Sequence, residues 1–249
     1  METFNPKKEI ENITSWIRDW FSANGPTATA VVGISGGKDS TLVAALLARA
    51  LGKDRVFGVI MPNGEMADIE DAQEVVKFLG IRNAVVNIAE AYKGLVESIS
   101  PVLALSEDTK INIPPRLRMT TLYAIAQSLP GGGRVANTCN ASEDYVGYST
   151  KFGDAAGDFS PLSEYTVTEV LAIGDELGLP AHLVHKTPSD GLCGLSDEDK
   201  LGFTYATLDR YIRTGICEDP ATKDSIDRKH RANLHKLLPM PKYERGKEV

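Results

Sequence analysis

The chain has 249 residues, 42% of them hydrophobic and 24% charged, a composition of folded globular proteins that excludes bulk disorder. Its 27 Lys and Arg against 34 Asp and Glu leave a formal charge of −7, so non-specific nucleic-acid binding is not expected and a polyanionic ligand needs local positive potential. Cys139, Cys193 and Cys217 form no C-x-x-C pair, which argues against a disulfide framework or a thiolate zinc site. No apolar run approaches the roughly 18 residues of a membrane span and no secretory leader pattern opens the chain, so a cytoplasmic protein without membrane association is expected.

Asn5 is placed to cap a helix whose Ile10, Ile13, Ile17, Trp20 and Phe21 recur at helical spacing. After Gly25-Pro26, the spacing predicts a buried strand over 29–34, a glycine turn, and a helix over 39–50 that ends at Gly52. A second strand over 56–61, a helix over 68–79 stopped by Gly80 and a third strand over 84–88 repeat the alternation. Pro114-Pro115 is expected to start a helix through Arg116, Met119, Leu122 and Tyr123, with a short strand following over 134–138. That helix reads either as core or as part of a contact between subunits. Thr166-x-x-Glu169 is a capping box for a helix ending at Gly178. Helical patterns return around 205–212 and 226–237, whereas 186–200 is polar and aperiodic, as in a lid over an active site. Strands alternating with helices predict an α/β fold with a Rossmann-like parallel sheet and helices on both faces, formed as one domain over 1–249.

Hydrolase signatures are absent: there is neither an H-E-x-x-H pair nor a G-x-S-x-G elbow. The chemistry is concentrated in Gly33-Ile34-Ser35-Gly36-Gly37-Lys38-Asp39-Ser40, between the first strand and its helix. This is not a Walker loop, because Val32 and Asp39 stand where that motif has glycine and a hydroxyl. Its glycines nonetheless let the backbone approach an anion, the helix start presents free N–H groups, and Ser35 and Ser40 add hydroxyls. An aspartate beside phosphate is tolerable when a hard cation bridges the two, which makes Asp39 a candidate Mg²⁺ ligand. The plain alternative is a tight turn with Asp39 capping a helix.

S-G-G-x-D-S after the first strand resembles the pyrophosphate loop of the ATP pyrophosphatases. Over nearly its whole length the chain resembles the ammonia-dependent NAD synthetases. The matching stretches include Arg116-Leu-Arg118-Met119, Asn137-Thr138-Cys139-Asn140-Ala-Ser-Glu143, Gly147 to Asp154 with Asp158, Lys186-Thr-Pro188-Ser189, Asp197-Glu198, and His235-Lys236. The resemblance implies an adenine nucleotide alpha-hydrolase-like fold and amidation of deamido-NAD by ammonia after ATP has adenylated the nicotinate carboxylate. It implies that Asp39 and Glu143 hold Mg²⁺, that residues 33–40, Thr138 and Ser189 contact ATP, and that Ser35, Asp39 and Lys186 serve catalysis. It places Arg116, Lys151, Asp158, His235 and Lys236 on the dinucleotide and implies a homodimer. By composition alone, Glu143 reads as a solvated acid and His235-Lys236 as part of an exposed basic helix face.

The pattern departs from the family at two cations. Val167 stands where relatives usually carry an ATP-contacting lysine, and Lys38 where many carry glutamine. Lys38 is therefore either a replacement cation for the phosphates or a solvent-facing residue. Other readings are a different ATP pyrophosphatase and a non-catalytic nucleotide-binding regulator. With no room for a glutaminase domain, free ammonia is the expected donor, and a separate glutaminase subunit stays open.

Overall fold

A computed structural model describes residues 4–65, 69–186, 197–243 and 245. In chain order the elements are α1 (Pro6–Asn24), β1 (Thr29–Gly33), α2 (Lys38–Leu51), β2 (Val56–Ile60), α3 (Ile69–Leu79), β3 (Arg82–Val85), α4 (Ala89–Ile99), α5 (Glu107–Ser128) and β4 (Gly133–Val135). There follow α6 (Ala141–Val146), α7 (Val167–Glu176), α8 (Ala181–Val184), α9 (Asp197–Leu201), α10 (Tyr205–Thr214) and α11 (Pro220–Leu237). Among the described residues no helix is long and apolar enough to cross a membrane.

The four strands form one sheet in the order β3-β2-β1-β4, with every pairing parallel. Val31 pairs with Phe57 on one side and Val135 on the other, so β1 lies inside the sheet. From β1 the chain winds outward through β2 to β3 and then returns to β4 on the opposite flank. The carboxyl ends of β1 and β4 therefore flank the crevice where open parallel sheets bind ligands.

Side-chain alternation along the strands builds two cores. Ala30 and Val32 of β1, with Val56 and Ile60 of β2, face a layer containing α1, α2, α3, α7 and α8; Ile17, Phe21, Leu46, Val75, Ile173 and Leu183 are buried there. Val31, Val59 and Val135 point the other way, onto Met119, Leu122 and Ala126 of α5. A third cluster joins α6, α7, α9, α10 and α11 through Val146, Val167, Leu201, Leu208 and Ile226.

Several boundaries differ from the sequence reading, among them the start of α11, which lies at Pro220 rather than near 226. The third strand runs over 82–85 rather than 84–88, yet Val86 and Ile88 still donate to Ile60 and Pro62 carbonyls at 2.9 and 2.8 Å, so the pairing outlasts the regular strand. β4 ends at Val135, beyond which Ala136 bridges Phe159. Pro114-Pro115 does not start α5: Ser106 caps it, accepting the Thr109 N–H at 3.2 Å, and both prolines lie inside the helix. The carbonyls that lose donors to these prolines belong to Lys110 and Ile111, both exposed, where solvent can replace the missing bonds. Of the aperiodic stretch 186–200, residues 187–196 lie outside the described residues, and α9 occupies its far end.

Candidate active site

The loop after β1 is built by its own hydroxyls. Ser35 N–H donates to Ser40 Oγ at 3.2 Å, Ser40 donates onward to the Gly37 carbonyl at 3.2 Å, and Gly37 N–H donates to Ser35 Oγ at 3.2 Å. The 3.0 Å contact between the two hydroxyls then leaves Ser35 as donor to Ser40. Gly36 turns the chain with φ +82°, and a Cβ on it would fall 2.8 Å from Asp71 Cβ and 2.9 Å from the Ala72 nitrogen. Both conformation and space require glycine there.

Asn140, fully buried, joins this loop to the one after β4. Its side-chain oxygen accepts N–H groups of Ser142 and Glu143 at 3.1 and 3.0 Å, capping α6, while its amide donates to Asp39 Oδ1 at 3.0 Å. One residue thus fixes Asp39 at the start of α2 relative to Glu143 in the first turn of α6. Lys38 turns inward rather than toward solvent, with its Nζ 2.8 Å from Asp39 Oδ2 and 3.7 Å from Glu143 Oε1. Its side chain is 6% exposed and its ammonium lies 5.9 Å from the Tyr205 ring centre. Among the described residues no group of three or more His, Cys, Asp or Glu side chains suits a metal ion. The Asp39–Glu143 pair, already bridged by an ammonium, fits a hard cation whose remaining ligands are phosphate or water oxygens.

Lys186 pairs with Asp71, the residue packed against Gly36, and so comes to the opposite side of the loop. Thr138, partly exposed, follows β4 beside the buried Cys139. Burial and the Glu143 charge push the Cys139 thiol well above its ordinary value, against a nucleophilic role. Ser189 lies outside the described residues. Val167 is buried in the third cluster, and its N–H donates to Ser142 Oγ at 3.0 Å.

A second group gathers between α5, the 147–158 segment and α11. Arg116 Nε donates to the Lys151 carbonyl at 3.2 Å, and Lys151 Nζ donates to the His235 carbonyl at 2.6 Å. Lys236 Nζ donates to the carbonyls of Gly147 and Ser149 at 2.7 and 3.0 Å, and burial lowers its pKa. Asp158 accepts the Tyr123 hydroxyl at 3.0 Å and the Val135 N–H at 2.8 Å, which fixes it beside β4. Burial and the Asp158 charge push the Tyr123 phenol up to about 12, so it remains a donor. Asp158 and Lys236 line a cavity of about 220 Å³ with Asn137 and Asp144. The Asp144 carboxyl is raised to about 6 by burial and by the Asp154 charge. Nearby, Met119, Tyr123, Ala156 and Phe152 line an open groove of about 520 Å³. Phe152 is 63% exposed and is the one non-glycine residue with positive φ, 63°, among the described residues. All five residues expected on the dinucleotide thus fall on one flank of the β4 end.

The profile of the NAD synthase family matches residues 9–247. The chain belongs to that family. It is 44% identical over 231 residues to an NH(3)-dependent NAD(+) synthetase of Pyrococcus horikoshii, covering 90% of this chain and 86% of the relative. Its fold superposes on an NMN synthetase from Francisella tularensis with a TM-score of 0.87 at 33% identity, over 96% of this chain and 100% of the other. It superposes on NAD+ synthetase from Burkholderia pseudomallei with a TM-score of 0.78 at 29% identity, over 95% and 92%. The adenine nucleotide alpha-hydrolase-like fold expected of an NAD synthetase is the fold found.

Asn140, Asp71 and Phe152 were not singled out from sequence. Asn140 carried a usable signal, since Asn ahead of Ser142-Glu143 is a helix cap. Asp71 carried none, because its meeting with Gly36 depends on the packing of α3 against the loop.

Proposed function

We propose that this NAD synthetase joins ammonia to the nicotinate carboxylate of deamido-NAD in two steps. In the first, a carboxylate oxygen attacks the α-phosphorus of ATP and the phosphorus–oxygen bond to pyrophosphate breaks. In the second, the ammonia nitrogen attacks the acyl carbon, AMP leaves with the bonding pair, and the nitrogen releases one proton to solvent. What supports the reading most is the single junction at Asn140, which ties a phosphate-loop carboxylate to a second carboxylate at the sheet's switch point. The Gly36 amide and the start of α2 receive the phosphates, and Lys186, paired with Asp71, brings a cation beside Gly36. Asp39 and Glu143 would hold Mg²⁺, which when bound would neutralise charge on the phosphates. Arg116, Lys151, His235 and Lys236 bind the anionic groups of the dinucleotide, while Asp158 accepts hydrogen bonds from it. No side chain need attack covalently; orientation and electrostatics carry the reaction.

The working unit is a homodimer, and α4 supplies part of its contact. This helix has no buried residue, and Leu95, Val102, Leu103 and Ile111, on it or between it and the middle of α5, are exposed. Incubation with ATP, Mg²⁺, ammonia and deamido-NAD should yield NAD, AMP and pyrophosphate in equal amounts; pyrophosphate release without NAD would refute the assignment. A second reading comes from the Francisella relative, whose name specifies a mononucleotide product. Nicotinate mononucleotide assayed in parallel decides it by the ratio of kcat/KM values.

A further inference from the structure

Lys38 is a cation stationed between two anions that the proposed chemistry assigns to a metal. Its ammonium lies 2.8 Å from Asp39 Oδ2 and 3.7 Å from Glu143 Oε1, and the side chain is 6% exposed. Asp39 is held from its other oxygen by Asn140 Nδ2 at 3.0 Å, and Glu143 lies in a helical turn capped by the same residue. Asp39 is therefore fixed from one carboxylate oxygen, and the backbone that carries Glu143 is fixed at the start of α6. With the ammonium counted, the trio carries one net negative charge, too little to hold a dication that must also shed water.

The geometry points to Lys38 as a built-in competitor for the divalent-metal position, so that metal binds together with the triphosphate rather than ahead of it. The inference rests on the reading of Asp39 and Glu143 as the metal-holding pair. The triphosphate brings about four negative charges and further oxygen ligands, and it offers the displaced ammonium a new anionic partner. The four-carbon stem of lysine, anchored at the first residue of α2, lets the ammonium, 5.9 Å from the Tyr205 ring centre, make that exchange without a shift of the helix. Lys38 is thus a positioning residue that couples metal entry to nucleotide entry.

The test is Mn²⁺ binding to the full chain without nucleotide, followed by electron paramagnetic resonance of the free ion. Removing a positive charge a few ångströms from a dication should tighten Mn²⁺ binding by about tenfold or more in Lys38→Met. Lys38→Arg, which keeps the charge, should bind as weakly as the parent. Lys38→Gln serves as a second neutral variant should the methionine chain fold poorly. Equal Mn²⁺ affinity in the parent and both neutral variants overturns the proposal. Asp39→Asn separates the two levels of argument. Where it abolishes Mn²⁺ binding but Lys38→Met changes nothing, only the competition is refuted. Where Asp39→Asn leaves Mn²⁺ binding to Lys38→Met intact, the metal lies elsewhere and both the competition and the metal assignment fall.

Discussion

Asp39, inside the phosphate loop, and Asp144, in the first turn of α6, illustrate how environment separates roles at the scale of single side chains. Asp39 is held ready by Asn140 and Lys38, so Asp39→Asn should leave the fold intact and lower kcat by roughly 10²- to 10³-fold, because the charge opposite the phosphates is lost. Normal turnover of that variant at saturating Mg²⁺ would place the metal elsewhere. Asp144, by contrast, is raised to about 6 by burial, above its ordinary value of about 3.9. A carboxyl that binds its proton more tightly when folded lowers stability as pH rises through the interval between those two values. Asp144→Asn should therefore gain about 2 kcal/mol on the parent between pH 4 and pH 7, a figure reduced for the side chain's partial exposure. Urea unfolding at the two pH values reads the difference directly. Phe152, exposed on a left-handed backbone at the rim of the groove, offers an aromatic face at a site of stored strain. Phe152→Ala should raise KM for the pyridine nucleotide about tenfold and leave KM for ATP unchanged, as loss of one ring-stacking contact predicts.

Between elements, the clamp around Asp209 holds the site's second wall in place. Its buried carboxylate on α10 accepts the Ser142 hydroxyl of α6 at 2.5 Å and both the N–H and hydroxyl of Thr168 on α7 at 2.8 and 2.6 Å. Ser142 in turn accepts the Val167 N–H, so the start of α7 is closed by packing and hydrogen bonds. Asp209→Ala would leave these donors unpaired in the interior and should cost about 3 kcal/mol, measured as a lower urea midpoint with unchanged slope. None of this was visible in the sequence, since Asp209 lies amid an ordinary amphipathic pattern and its partners are far along the chain. What the sequence did carry was local: the Asn5 cap, the Thr166–Glu169 box, the glycine stops at 52 and 80, and the strand–turn–helix that makes the phosphate loop. The prolines at 114 and 115 misled because a favourable rule about helix starts yielded to a longer helix whose exposed carbonyls tolerate them. Lys38 was left between phosphate and solvent; the inward turn depends on Glu143, which lies more than a hundred residues away and is delivered by the switch in strand order.

At the scale of the whole molecule, the distribution of apolar surface bears on assembly. α5 was open to two readings, core helix or subunit contact, and its two ends divide them. Met119, Leu122 and Ala126 are buried against β1, β2 and β4, whereas Ile111 and the preceding Val102 and Leu103 lie exposed. A helix such as α4, with no buried residue and an exposed leucine, gains little from folding on its own chain and much from being covered. Self-association by a two-fold axis lets one such patch cover its copy, which is the commonest solution for soluble enzymes. The groove lined by Phe152 and the middle of α5 would then lie close to the same contact, so assembly and substrate binding would be linked. Leu103→Asp, which touches no residue of the phosphate loop, should convert a dimer into a monomer by light scattering and raise KM for the pyridine nucleotide, with ATP binding retained. A variant that stays dimeric would remove Leu103 and the segment between α4 and α5 from the interface, and a parent chain that is monomeric at micromolar concentration would leave all of this apolar surface without this explanation.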